Sequence, residues 1–236
     1  MSDKTEDSYL RSGHRERLRQ NFIDDKLAKY ETLELLLSYA IPRRDVRPLA
    51  RMLYNKFGGM YPILCASIDD LCKVRGMGRN TAIFIKVVQK ILLDGYECKF
   101  RDTPILHNRE QLANYCKLKI GHKDVEEVHI LYLDEVGRLL EDEMHSKGTY
   151  NESSLYNVEI VKHAISIDAK GVVLMHNHPR RETSFSSQDI EVTKQLRSML
   201  DAVGIKLIDH YVVSGDMLYS LSGIPGCAHI VYNSNT

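Results

Sequence analysis

The run Gly171-Val172-Val173-Leu174-Met175 constrains this chain most, because it passes without a break into His176-Asn177-His178-Pro179. A short apolar run of this kind reads as a buried strand. In an extended segment residues two apart face the same side, so the imidazoles of His176 and His178 can converge on one ion at the strand's end. Then follow seven residues, Ser186 and, three positions on, Asp189. Asp189 falls in the first turn of a helix predicted over 187–203, and a short loop returns it to the strand end. Two neutral imidazoles and one carboxylate leave one tetrahedral position of Zn²⁺ open to water, the catalytic rather than the structural arrangement. Water held there has its pKa lowered to ~7 and is a nucleophile at neutral pH. The same residues admit a plainer reading: Ser186-x-x-Asp189 ahead of an apolar helix is also a capping box.

Around this strand the second half reads as α/β. Val128-His129-Ile130-Leu131-Tyr132-Leu133 is a strand, Asp134-Glu135-Val136-Gly137 a turn, and a second strand returns from Arg138. A helical stretch follows Asn157 to Ile167, and a strand pair is expected around 205–221. The segment 13–95, in contrast, is helical almost throughout. Pro42 ends one helix, Pro48 starts the next and Gly58-Gly59 ends it, while Ser67-Ile68-Asp69-Asp70 starts a short one. The expected organisation is a helical domain over 1–95, a linker over 96–108 and a metal-binding α/β domain over 109–236.

The spacing H-x-H-x7-S-x2-D, in the form His-Asn-His-Pro, resembles the signature of JAMM (JAB/MPN) metallopeptidases as it occurs in the RadC family. Gly204 to Val213 resembles the strand after the helix in those proteins, and Arg15 to Leu92 resembles their helical N-terminal domain. The resemblance implies a JAB/MPN-like mixed sheet flanked by helices, preceded by a small all-α helix-hairpin-helix domain, and a zinc hydrolase cleaving an amide or isopeptide bond of a protein or peptide. It also implies a glutamate base, which counting back from Asp134 places at Glu126; Glu127 would face the opposite side. Ser186 resembles the family serine that polarises the substrate carbonyl. Glu159 is a second candidate base, with a plain alternative as a first-turn carboxylate complementing a helix dipole. Two departures from the family are visible: the loop Arg180 to Phe185 lacks the usual Gly and Pro, and Asn157-Val158-Glu159 stands where Pro-Arg-Glu is usual.

In the first half, Val74-Arg75-Gly76-Met77-Gly78-Arg79-Asn80 resembles the Gly-x-Gly hairpin of helix-hairpin-helix modules. Gly76, Gly78 and Arg79 are the candidate contacts to DNA phosphates, with Arg75 and Lys86 adding charge. Arg11 to Arg19 forms a second basic cluster. A tight scaffold turn and a solvated helix face are the respective alternatives. The net charge is zero, yet residues 1–100 carry 18 Lys+Arg against 13 Asp+Glu and residues 101–236 carry 14 against 19. That split suits a polyanion partner, sequence-nonspecific DNA, for the first part alone.

The five cysteines form no C-x-x-C pair, which suits reduced thiols. Neither a leader peptide nor a bilayer-spanning run of ~20 apolar residues is visible, so a cytoplasmic location and no membrane role are expected. His107, His129, His145, His163 and His210 show no ligand spacing and are read as structural. Two other functions stay open: a metal-dependent nuclease, and a non-catalytic DNA-binding protein with a structural metal site. The family's traditional link to DNA repair rests on resemblance alone.

Overall fold

The computed structural model describes residues 3–148, 153–179 and 184–231, with side chains described from residue 13 onward and outside 153–156. It divides into two compact units, Met1–Lys90 and Ile91–Thr236.

The first unit holds α1 (Asp3–Ile23), α2 (Lys29–Ala40), α3 (Arg47–Phe57), α4 (Met60–Cys65), α5 (Ile68–Cys72) and the start of α6 (Arg79–Asp102). The chain's punctuation sets these boundaries. Pro48 sits in the first turn of α3, where its missing N–H costs nothing, and Gly58 closes that helix in the left-handed conformation (φ 85°). The Ser67 hydroxyl accepts from the Asp70 N–H to start α5. Leu33, Leu37, Leu53, Ile63, Leu71 and Ile85 are fully buried and form the unit's interior.

The second unit continues with α7 (Arg109–Ile120), β1 (Glu127–Leu133), β2 (Leu139–Lys147), α8 (Ser153–Ser166), β3 (Gly171–Asn177), α9 (Ser187–Ala202), β4 (Lys206–Ser214) and β5 (Met217–Ser220). Its mixed sheet has the order β2-β1-β3-β4-β5, with β3 antiparallel to β1 and parallel to β4. Strand alternation sorts the side chains into two cores. Val128, Ile130, Tyr132, Val172, Leu174 and Val212 pack with Ile160, Ala164, Leu196 and Leu200 of α8 and α9. Leu131, Leu133, Val173, Met175 and Val213 pack with Phe100, Leu112 and Tyr115 on the other face. β3 is buried along its whole length, as a central strand with both faces covered must be. The JAB-like mixed sheet and the helical N-terminal part are therefore both present.

Three expectations need correction. The segment 96–108 is not a loose linker: α6 runs through Asp102, a 3-10 turn spans Ile105–His107, and Phe100 and Ile105 are buried in the second unit. An amphipathic pattern with Pro104 and Thr103 reads locally as loop, but its apolar residues have a core to join. Second, α8 begins at Ser153 rather than after Asn157, so Glu159 lies beyond the first turn and has no dipole role there. Third, Lys86 is engaged by helix carbonyls: its Nζ donates to Leu64 O at 2.8 Å and Ala66 O at 3.0 Å.

Candidate metal centre

The centre lies beyond the carboxyl end of β3. Backbone pairing continues past the strand, since His178 N–H donates to Val213 O at 2.9 Å, so both histidines sit on rigid backbone. His176 is 3% exposed and its Nε2 lies 2.9 Å from His178 Nε2. Asp189 Oδ1 is 3.6 Å from the first of these nitrogens and Oδ2 is 3.7 Å from the second. Among the described residues these three side chains form the one group of histidines, cysteines and carboxylates close enough to share an ion.

Each of the three side chains brings one donor atom to within 4.8 Å of the other two, close enough for the set to close around one ion. The protonation states fit as well. Burial pushes the His176 imidazole down to about 4, keeping it neutral at neutral pH. Burial alone would raise Asp189, but His178, His176 and the Ser186 N–H hold it well below the ordinary carboxylate range. Two lone pairs and one negative charge at this spacing fit a zinc ion.

Asp189 also makes the capping box. The Ser186 hydroxyl accepts from Asp189 N–H at 3.1 Å, and Asp189 Oδ2 accepts from Ser186 N–H at 2.7 Å. The capping-box reading of Ser186-x-x-Asp189 is thus realised, by the same carboxylate that lies against the two histidines. The cap fixes the carboxylate's rotamer, and the exposed Ser186 hydroxyl lies within hydrogen-bond reach of that carboxylate. Phe185 is buried beside the site, its ring 6.3 Å from that of His176 and 5.0 Å from that of His210. Arg180 to Thr183 lie outside the described residues.

Glu126 precedes β1, and its carbonyl accepts from Gly148 N–H at 2.9 Å, continuing the β1–β2 ladder. Val128 pairs with His176 across β1 and β3, so alternation puts Glu126, two residues back, on the His176 face. Glu127 is on the opposite face, 2% exposed, with Lys123 at 3.2 Å and Lys147 at 3.3 Å. Burial would raise its carboxyl, but the two ammonium groups bring it below its usual value.

Two residues that look unremarkable in the sequence bear on the centre. Asn177 faces away from the His176 and His178 imidazoles: its Oδ1 accepts from Glu127 N–H at 2.7 Å, and its Nδ2 donates to Lys123 O and Val125 O at 3.3 and 3.1 Å. It thereby pins the segment carrying Glu126. His210, 1% exposed, places Nε2 2.8 Å from His176 Nδ1 and Nδ1 2.7 Å from Thr193 Oγ1. Period-two alternation could have flagged Asn177; the meeting of His210 with His176 needs the β3–β4 register, which one sequence does not display.

In the first unit Gly76 has φ +94° and its carbonyl accepts from Arg44 Nη2 at 2.5 Å. A Cβ there would meet that nitrogen at 3.3 Å besides straining the backbone. Gly78 accepts the first helical bond of α6 from Ala82 N–H, and having no side chain it cannot cap the next N–H groups. Arg75 and Arg79 are exposed beside it. Arg15, from the basic cluster, donates to the carbonyls of Ile41, Pro42 and Arg44.

A mixed sheet with a His-His-Asp group at the end of its central strand defines a JAB-type α/β domain. The sequence matches the RadC-like JAB domain over residues 106–225. It is 36% identical over 218 residues to a UPF0758 protein of Fusobacterium nucleatum, covering 88% of this chain and 94% of that one. It is 33% identical over 209 residues to a UPF0758 protein of Ruegeria pomeroyi, covering 87% and 93%. The chain belongs to the RadC family. Among the described residues no helix is long and apolar enough to cross a membrane.

Proposed function

We propose that this protein is a zinc-dependent hydrolase acting on an amide or isopeptide bond of a protein or peptide. The observation that carries the reading is the convergence of His176 Nε2, His178 Nε2 and the Asp189 carboxylate, with one donor atom from each within 4.8 Å of the others, beside an exposed serine hydroxyl. Zinc held by these three residues would supply Lewis acidity and lower the pKa of a water in its open position to ~7. Glu126, on the same sheet face, takes the proton from the attacking water and returns it to the leaving amine. The Ser186 hydroxyl donates to the carbonyl oxygen as negative charge develops there. The capping box supports that role, because it orients the hydroxyl before substrate arrives. Phe185 is buried with its ring 6.3 Å from that of His176, and an apolar neighbour of this kind strengthens electrostatic interactions at the centre.

The test measures metal content of the purified protein, then cleavage of isopeptide-linked, linear peptide and duplex DNA substrates with and without chelator. Zinc near one per chain and chelator-sensitive amide cleavage are expected. Chelator-sensitive nicking of DNA without amide cleavage would replace this reading with a nuclease.

A second role is favoured by a separate observation, the start of α6 at Gly78, a residue with no side chain to cap the helix, flanked by exposed Arg75 and Arg79. N–H groups at a helix start attract phosphate, so the first unit is read as a sequence-nonspecific DNA-binding surface. This would bring the hydrolase to DNA or to a DNA-bound protein, in keeping with the family's traditional link to DNA repair.

A further inference from the structure

We propose that His210 and Thr193 are positioning residues that fix the ring tautomer of His176 and tie it to the helix carrying Asp189. The inference rests on the metal-centre reading above and adds residues to it.

The argument is one of hydrogen-bond polarity. His176 Nε2 faces His178 and Asp189, so a metal ligand at this position needs its lone pair on Nε2 and its proton on Nδ1. That Nδ1 proton points at His210 Nε2, 2.8 Å away, which must then be an acceptor. A neutral imidazole accepting at Nε2 carries its proton on Nδ1, and His210 Nδ1 lies 2.7 Å from Thr193 Oγ1. Thr193 can accept that proton only if its own hydroxyl hydrogen goes elsewhere. It does, to the backbone carbonyl of Asp189 one turn earlier in α9. Every group has one consistent role: His176 donates to His210, His210 to Thr193, and Thr193 to Asp189.

The relay begins at one ligand and ends on the backbone of another. It ties α9 to β3 and β4, two strands that the parallel ladder already holds side by side. Thr193 is fully buried, and the edge-on Phe185 ring 5.0 Å from His210 covers the middle of the relay, so water does not compete for these bonds. The outer partner of a metal-bound histidine is usually a carboxylate, a carbonyl or water. Here it is a second neutral imidazole, whose tautomer needs a third group to set it, and Thr193 does so. A threonine inside a helix that donates to the carbonyl four residues back slightly weakens the helix, which is consistent with a role beyond helix formation.

The test uses the full chain and the variants His210→Leu, Thr193→Val and Thr193→Ser. Zinc affinity is measured by competition with a chromophoric chelator, cobalt(II) spectra report ligand geometry, and ¹⁵N NMR of the metal-free protein reports the His176 tautomer. In the wild type we expect His176 with its proton on Nδ1. His210→Leu should weaken zinc binding about 10- to 100-fold and mix the tautomers. Thr193→Val, nearly isosteric and away from the ion, should cause a smaller loss of affinity, a shifted cobalt spectrum and a detectable second tautomer, while Thr193→Ser restores all three. It keeps the test decisive if His210→Leu does not fold. Zinc binding by the wild type with the His176 proton on Nε2 in the metal-free state, or unchanged tautomer and affinity in Thr193→Val, would overturn the relay and leave the metal centre standing. A wild type that holds no zinc although His176 is protonated on Nδ1 would overturn the metal-centre reading, and with it the purpose assigned to His210.

Discussion

Asp189 caps a helix and in the proposed centre would also ligate an ion with the same carboxylate, and substitutions can separate these tasks. Asp189→Asn keeps an oxygen for the Ser186 N–H but lacks the negative charge, so zinc should be lost while the melting temperature of metal-free protein changes little. Asp189→Ala removes both functions and should cost further stability in metal-free protein through the lost reciprocal cap, read by denaturant titration. Equal stability of the two variants would mean that the cap contributes nothing. The base is tested in the same manner. Glu126→Gln is expected to retain zinc and fold but lose hydrolysis by ~100-fold or more. Glu127→Gln, facing Lys123 and Lys147, should lower stability and leave turnover nearly intact. If Glu127→Gln is the inactive variant with zinc retained, the alternation argument at the start of β1 is wrong.

At the scale of elements, the sequence displays periodicity and hides register. The β3 run, the hairpin of β1 and β2 and the extent of α9 follow from local patterns, and so does the spacing of His176, His178 and Asp189. The partner of each strand does not follow, so the meeting of His210 with His176 and of Asn177 with the Glu127 N–H is not legible. The same blindness hides a buried polar network behind β1 and β2. Asp142 accepts from Lys119 Nζ at 2.7 Å and lies 2.9 Å from His129 Nδ1, with Tyr115 and Glu97 completing the group. Sequence spacing marks His129 only as structural, without its partner on β2. Burial would raise Asp142, but His129 and Lys119 lower it below its ordinary value. A carboxylate held lower in the folded than in the unfolded state contributes stability above the unfolded pKa of ~3.9 and loses it as pH falls through the folded value. Asp142→Asn should therefore be less stable by ~3–5 kcal/mol at neutral pH, as for one broken buried pair, and should lose less further stability than wild type below pH ~4. Parallel stability curves for the two proteins over that acid range would exclude Asp142 as a source of acid sensitivity.

At the scale of the whole molecule, the charge of the first hundred residues, +5 by the counts of 18 and 13, overstates what is free to meet a polyanion. Arg15, Arg44 and Lys86 donate to backbone carbonyls within the first unit. Arg75 and Arg79 remain exposed around Gly78, although Arg79 also lies 3.9 Å from Asp69. The contrast separates charge that can reach a phosphate from charge that holds the unit together. The intact protein is expected to bind duplex DNA weakly, with little sequence preference and with affinity falling as salt rises, because neutralising phosphates releases counterions. Replacing Arg75 and Arg79 together by alanine should lower affinity at low salt and reduce the slope of log affinity against log salt by up to ~1.8, about 0.9 for each phosphate no longer neutralised. Lys86→Ala should leave that slope unchanged and lower the melting temperature, since its ammonium satisfies the carbonyls of Leu64 and Ala66 at the end of α4. Binding titrations at several salt concentrations, run beside thermal melts, check all three proteins at once. If Lys86→Ala reduces the slope and the double variant does not, the phosphate track lies on the α4 side of the unit and Gly78 begins an ordinary helix.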